Sequence, residues 1–549
     1  MDIIDLRISL QFESIFEIPA QSVDKYLRQV PRKIAILYGL MIANYTKEDD
    51  FSKQLDALTI CNEINWWIRR KVASRQLPND KIILFEPMTG LDLLKYIFSI
   101  PKEEFTEDWT ASTPLNFIMA ILMINSELRA KNARFQDKDV TLFPKRIRSK
   151  FYELDDRIHV TPSIYRMFCL WFFLDTNNND YWLKLKKELI ESLNMPSLEE
   201  YLGTMLRVIE RLNIQPKSKF SILPIKEHDN LYDLLKSLSF NSDYKIELKD
   251  NIDYTYFKSH PLVQLDSDKF AVISNAFLSC QLYTSLKFRM SKLHKSFLTR
   301  FNTDFVQNYL FYTILKYAFD GIHDNVVCLT ENECENQIIE YYRIHTKRIS
   351  DDAIKGLPDA YIRSDNKILL IECKGKTISN KALIDEERCI EDINNDIVND
   401  NHGTGQLLHN CNRIIEGELF CDNKRPSDCI IYPLLVVDDP KLSVDGLNSY
   451  VIQKTESNKL VKDNPTKIYP FTILDIDTLI IIAELIRNKS IDIFREIEEY
   501  HKYIKGEQDF YSESEKFLYS ELSFASYITG KYTTYIPKIV DEWFELLHT

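Results

Sequence analysis

Nine consecutive residues, Lys367-Ile368-Leu369-Leu370-Ile371-Glu372-Cys373-Lys374-Gly375, constrain the fold of this chain more than any other segment. A run this apolar belongs inside a sheet, yet it ends with an acid and a base two residues apart. Residues i and i+2 of a strand share a face. Glu372 and Lys374 therefore project together from the end of a buried strand, while Ile371 and Cys373 face the other side. Just upstream, Arg363-Ser364-Asp365-Asn366-Lys367 is a polar turn between apolar runs, and Asp365-Asn366 suits a two-residue hairpin loop. Counting outward from that loop pairs Ser364 with Lys367, and Asp359 falls opposite Glu372. Directly opposed residues hold their β-carbons about 4.5–5.5 Å apart. Two carboxylates that close repel each other unless a cation lies between them, so the hairpin register predicts a metal site.

The elements around this hairpin follow a readable order. Phe301 to Phe319 has helical periodicity, Gln337 to Ile344 reads as a strand, and Leu357–Arg363 with Lys367–Cys373 form the hairpin. A helix from Gly405 to Ile415 and a buried strand from Ile430 to Val437 follow, which gives a mixed α/β layer architecture. A strand at Tyr469–Leu474 and a helix at Thr478–Arg487 extend the same domain. Upstream, Leu183–Leu193 and Leu198–Leu212 place apolar residues at spacings of three and four, punctuated by asparagine and proline clusters. Asp268 to Ile273 reads as a short strand, followed by a helical run from Ala276 to Leu293. The expected organisation is a multidomain α + α/β chain in four segments. These are a large, mostly helical N-terminal region (1–215), a mixed connector (216–300), an α/β core of mixed sheet flanked by helices (301–490), and a helical C-terminal segment (491–549).

At 549 residues the chain exceeds what one compact core holds. Only 12 glycines stand beside 29 tyrosines and 31 phenylalanines, which favours long helices and aromatic cores over tight turns. A net charge of −13 excludes a protein that coats polyanions generally. The acidic start Met1-Asp2-Ile3-Ile4-Asp5 is unlike a secretory leader. The longest apolar runs, Phe117–Ile124 and Phe168–Leu174, are too short to span a bilayer. Ten cysteines without a C-x-x-C pair suggest reduced thiols and a cytoplasmic protein without membrane association. His402, His409, Cys411 and Cys421 match no zinc spacing. Phosphate-binding glycine loops, Gly-x-Ser-x-Gly elbows and H-E-x-x-H pairs do not occur, so no nucleotide cofactor is expected.

Hard oxygen ligands without sulfur or imidazole suit Mg2+, with Mn2+ able to substitute. Such a cation acidifies a bound water and stabilises charge developing on a phosphate, and a neighbouring lysine orients or helps deprotonate that water. Phosphodiester hydrolysis uses this set best. Pro358-Asp359, a gap of twelve residues and Glu372-Cys373-Lys374 resemble the PD-(D/E)XK signature of restriction-endonuclease-like nucleases. The resemblance covers roughly residues 300 to 445. It implies that Asp359 and Glu372 bind the metal, that the Cys373 carbonyl is a third ligand, and that Lys374 is catalytic. Many members of the family carry an acid or polar residue on the first helix. Asp304 and Gln307 are the candidates here, with Asp304 preferred. Many also carry a glutamine on the helix after the motif, a role that Gln406 in Gly403-Thr404-Gly405-Gln406-Leu407-Leu408 would fill.

Lys347 and Arg348, on the loop before Asp359, and Lys376, just past the motif, are candidates for the substrate backbone. Arg69-Arg70-Lys71 and the basic run Lys145–Lys150 read as solvated helix faces, and Trp66-Trp67 as core. The expected function is a metal-dependent nuclease, with DNA favoured over RNA. Its large helical partner region resembles prokaryotic restriction and phage-defence effectors, and would be where a homo-oligomer or partner protein docks. The rival expectations are a catalytically silent interaction protein on a nuclease fold and an RNase or DNA-repair nuclease.

Overall fold

The computed structural model describes residues 8–45, 51–58, 62–74, 82–133, 143–144, 146–147, 156–214, 222–227, 229, 231–240, 254–321, 325–345, 354–379, 382, 385–419, 421–422, 429–506 and 513–532. The chain divides into two compact units, and the fold is mixed α/β. Residues 1–138, 154–156 and 190–288 form the first unit, and 139–153, 157–189 and 289–549 the second. The stretch 157–189, which helical periodicity alone assigns to the N-terminal region, belongs to the second unit.

The first unit is largely helical. Helices Arg32–Ala43 and Pro87–Ser99 cross so closely that a β-carbon at Gly90 would lie 2.2 Å from the Ala43 nitrogen. Glycine is what permits that approach. Beside the helices lies a four-stranded mixed sheet in the order Ile222–Pro224, Lys269–Val272, Leu262–Asp266, Ser239–Phe240. The expected helix from Ala276 to Leu293 is broken into Asn275–Ser279, the 3-10 turn Cys280–Leu282 and Thr284–Leu293.

The second unit is built on a five-stranded mixed sheet. In chain order its principal elements are α1 (Asp156–Thr176), α2 (Tyr312–Phe319), β1 (Val326–Thr330), α3 (Glu331–Ile344), β2 (Ala360–Ser364), β3 (Lys367–Lys374), α4 (Glu386–Asp396), α5 (Thr404–Ile415), β4 (Ile430–Val437), β5 (Thr472–Asp475) and α6 (Ile476–Arg487). The sheet order is β5-β4-β3-β2-β1, with β3, β4 and β5 parallel and the β1, β2, β3 meander antiparallel. β3 and β4 lie in its middle, which is why both read as near-continuous apolar runs. Ile368 and Leu370 of β3 share one core with Leu407, Cys411 and Ile414 of α5 and with Cys334 and Ile338 of α3. By alternation, Glu372 and Lys374 lie on that same face.

One local expectation fails for a physical reason. Gln337–Ile344 is helical, and the strand lies earlier, at Val326–Thr330. Thr330 and Glu333 close a reciprocal capping box that starts α3 at Glu331, satisfying orphan amide groups of the first turn. The run Phe301–Phe319 is helical, but its first part, Phe301–Phe311, is wound in the wider π form, a feature that often marks functional sites. Among the described residues no helix is long and apolar enough to cross a membrane.

Candidate active site

Ser364 pairs with Lys367 and Ala360 with Ile371, the register that the Asp365-Asn366 loop requires. Asp365 sits at φ 51°, a left-handed conformation that aspartate tolerates better than most residues. One step beyond the Ala360–Ile371 pair, Asp359 stands beside Glu372 at the sheet end. On the far side of β2, Thr330 pairs with Ala360, and the Glu331 N–H donates to the Asp359 carbonyl at 3.1 Å. Glu331, Asp359 and Glu372 thus form a row across three neighbouring strand ends.

The polar contacts are asymmetric. Asp359 Oδ2 accepts the Cys373 N–H at 2.6 Å, and Oδ1 accepts the Gln307 amide. Lys374 Nζ donates to Glu372 Oε1 at 2.5 Å. Glu372 Oε2 is buried and has no hydrogen-bond partner among the described residues. Asp359 and Glu372 are each only 2% exposed. Burial pushes both carboxyls well above the ordinary carboxylate range, and repulsion from Asp359 pushes Glu372 further. Half-buried Glu331 is raised too, by burial and then by Glu335. An orphaned carboxylate oxygen beside a second buried acid is what a cation would relieve.

Among the described residues no three His, Cys, Asp or Glu side chains are placed to hold one metal ion together. The chain would therefore offer a cation two carboxylates, Asp359 and Glu372, with the Cys373 carbonyl, water and substrate completing its shell. Mg2+ commonly binds in this way, through one or two carboxylates and several waters. Each bonded oxygen of Asp359 keeps a second lone pair for such a ligand role.

Supporting contacts hold this end of the sheet. Gln406 donates to the Leu357 carbonyl at 3.5 Å, Asn410 to Gly356 at 2.8 Å and Arg413 to Lys355 at 3.4 Å. Helix α5 thus grips the loop that delivers Asp359, and no contact of Gln406 with Asp359 is seen. On the first helix the expected Asp304 accepts the Trp182 indole N–H at 3.0 Å, whereas Gln307 reaches Asp359. Buried Arg166 of α1 binds Asp438, just after β4, through side chain and carbonyl, and Asp477 through Nε at 2.6 Å. The Asp438 N–H in turn donates to the Lys374 carbonyl at 2.9 Å. Lys376 is exposed and ion-paired with Asp396 at 3.0 Å. Lys347 and Arg348 lie outside the described residues.

Sequence reasoning brings together Asp359, Glu372 and Lys374. It misses Glu331 as a neighbour and prefers Asp304 to Gln307, the first-helix residue that reaches Asp359. The signal for Glu331 was the Thr330-x-x-Glu333 capping box, which puts a strand end immediately before it. His402 and His409 are exposed, and Cys411 and Cys421 are buried thiols. Comparison of the chain with protein families, curated proteins and solved structures found no match.

Proposed function

We propose that this chain is a divalent-cation-dependent nuclease of the PD-(D/E)XK type, and that its second unit is a restriction-endonuclease-like core. One observation carries the reading: two buried acids from adjacent strands stand side by side, one with an unpartnered oxygen, and Lys374 lies against them. Asp359 and Glu372 would hold the cation, with the Cys373 carbonyl beside them. Bound there, Mg2+ or Mn2+ would acidify a water and offset charge on the phosphoryl oxygens. The Cys373 N–H and the Gln307 amide hold Asp359 in its orientation. Lys374, which lies against Glu372, would direct its ammonium at the attacking water or a phosphate oxygen. Gln406 keeps the Asp359 loop seated.

DNA is the proposed substrate, in a prokaryotic restriction or phage-defence role, by analogy of architecture. One observation favours a second reading, a silent nuclease-fold scaffold: the Lys374–Glu372 ion pair already neutralises part of the site.

The test is cleavage of supercoiled plasmid, linear duplex, single-stranded DNA and RNA with Mg2+, Mn2+ or EDTA. Wild type is compared with Asp359→Ala and Lys374→Ala. The nuclease reading expects metal-dependent cutting that each substitution lowers by about 10²-fold or more. Cutting that is equal in wild type and both variants overturns it. If nothing is cut, calorimetry with Mn2+ decides, and absence of binding favours the scaffold.

A further inference from the structure

Sequence alone reads Trp66-Trp67 as core, and the structure corrects half of that. Trp66 is 61% exposed, on the outer face of helix Asn62–Ala73 in the first unit. Such a large apolar surface left in water is unfavourable unless something covers it. The Arg70 guanidinium lies 5.4 Å from the centre of the Trp66 ring, one helical turn on. Trp67 is tucked inward, with its ring 5.5 Å from Phe16 and the Lys71 ammonium 5.9 Å from its centre.

The irregular segment after helix Phe12–Ile15 meets this helix and leads into a groove. Lys71 pairs with Glu17 at 3.9 Å, and the next residue, Ile18, is 54% exposed and lines a cavity of about 530 Å³. Gln21, Lys25, Arg28, Gln29 and Asn116 are among its other walls. Charge there is not evenly spent. Arg69 is bound to Asp56 and Arg28 to Glu104, whereas Arg70 and Lys25 have no carboxylate partner among the described residues.

We propose that this surface binds single-stranded nucleic acid, with a base stacked on Trp66 and phosphates contacted by Arg70 and Lys25. The inference rests on the nuclease reading for its choice of polyanion. An exposed indole with a guanidinium on it offers a stacking platform to any unpaired base. Paired bases in a duplex cannot reach such a face, so single strands are the favoured ligand. The amide-rich groove adds donors for phosphate and sugar oxygens without selecting a base. On a chain of net charge −13, strand binding needs a local cationic surface of this kind.

The test uses the full chain in EDTA, so that no strand is cut. Anisotropy of a labelled oligothymidylate of about 20 nucleotides is compared with that of a duplex of equal length. Variants are Trp66→Ala, Trp66→Phe, Arg70→Ala and Lys25→Ala. The expected outcome is a preference for the single strand, weakened roughly ten-fold or more by Trp66→Ala and largely kept by Trp66→Phe. Arg70→Ala and Lys25→Ala should each flatten the salt dependence by one phosphate's worth. Binding is read in EDTA without cleavage, so a failed nuclease reading would leave this result standing. Strand binding unaffected by the Trp66 and Arg70 substitutions, or no strand binding at all, overturns the proposal. A protein-docking face would give the latter outcome.

Discussion

Two carboxylates at the end of β2 and β3 are held at different expense to the fold. Both Asp359 oxygens accept a hydrogen bond, whereas Glu372 keeps one oxygen orphaned in the core. Glu372→Gln removes the cost of ionising this buried carboxyl and should therefore raise the melting temperature in EDTA at about pH 8 by a few degrees. The same variant should lose the stabilisation that Mg2+ gives wild type. Thermal melts with and without Mg2+ check both, and an unchanged Mg2+ response would show that Glu372 is not a ligand. Gln307 and Asp304 make a second contrast. Gln307→Ala frees one oxygen of Asp359 and should weaken Mn2+ binding by about 10–100-fold. Asp304→Ala should leave Mn2+ affinity alone and cost about 1 kcal/mol through the Trp182 N–H. Calorimetry on both variants separates a positioning role from a structural one.

The elements differ in how plainly the sequence announces them. β3, β4 and the hairpin loop were legible because buried central strands are apolar throughout and Asp365-Asn366 closes a two-residue turn. α3 was not. Ile338, Ile339, Tyr341 and Tyr342 suit a strand by composition, and only the capping box and the Cys334–Ile338 spacing reveal the helix. That one misplacement hid Glu331, since its nearness to Asp359 follows from where β1 ends. The role of α1 was also out of reach, because Arg166 meets Asp438 and Asp477 across long sequence distances. Arg166→Ala would leave two acids facing each other without their cation. It should destabilise the chain by about 3–5 kcal/mol, read as a lower urea midpoint at unchanged slope. A loss below 1 kcal/mol would mean that water replaces the guanidinium.

At the scale of the molecule, local periodicity cannot say which helices pack together, so the grouping of 157–189 with the second unit was invisible in the sequence. The balance of buried ionisable groups, by contrast, predicts how the molecule responds to pH. His501, 1% exposed and bonded through Nε2 to Thr472 at 2.9 Å, is pushed down to about 3 by burial and by Lys505. The unfolded chain binds a proton there below about pH 6.5 and the folded chain does not, so acidification from that point costs stability, at most about 1.4 kcal/mol per unit. Asp359 and Glu372 are raised instead, and Glu521 is pushed up to about 7 by burial and Asp445. Folded carboxyls that hold protons longer than unfolded ones lose stability as pH rises from about 4 through their folded pKa. Above about pH 6.5 the histidine no longer contributes to the slope, and the raised carboxyls make it negative. In EDTA, melting temperature should therefore fall between about pH 6.5 and 8. Mg2+ competes with protons for Asp359 and Glu372, so its stabilising increment should grow across the same window. Melts at several pH values, each with EDTA or Mg2+, test this. An Mg2+ increment independent of pH would place the cation away from these two acids.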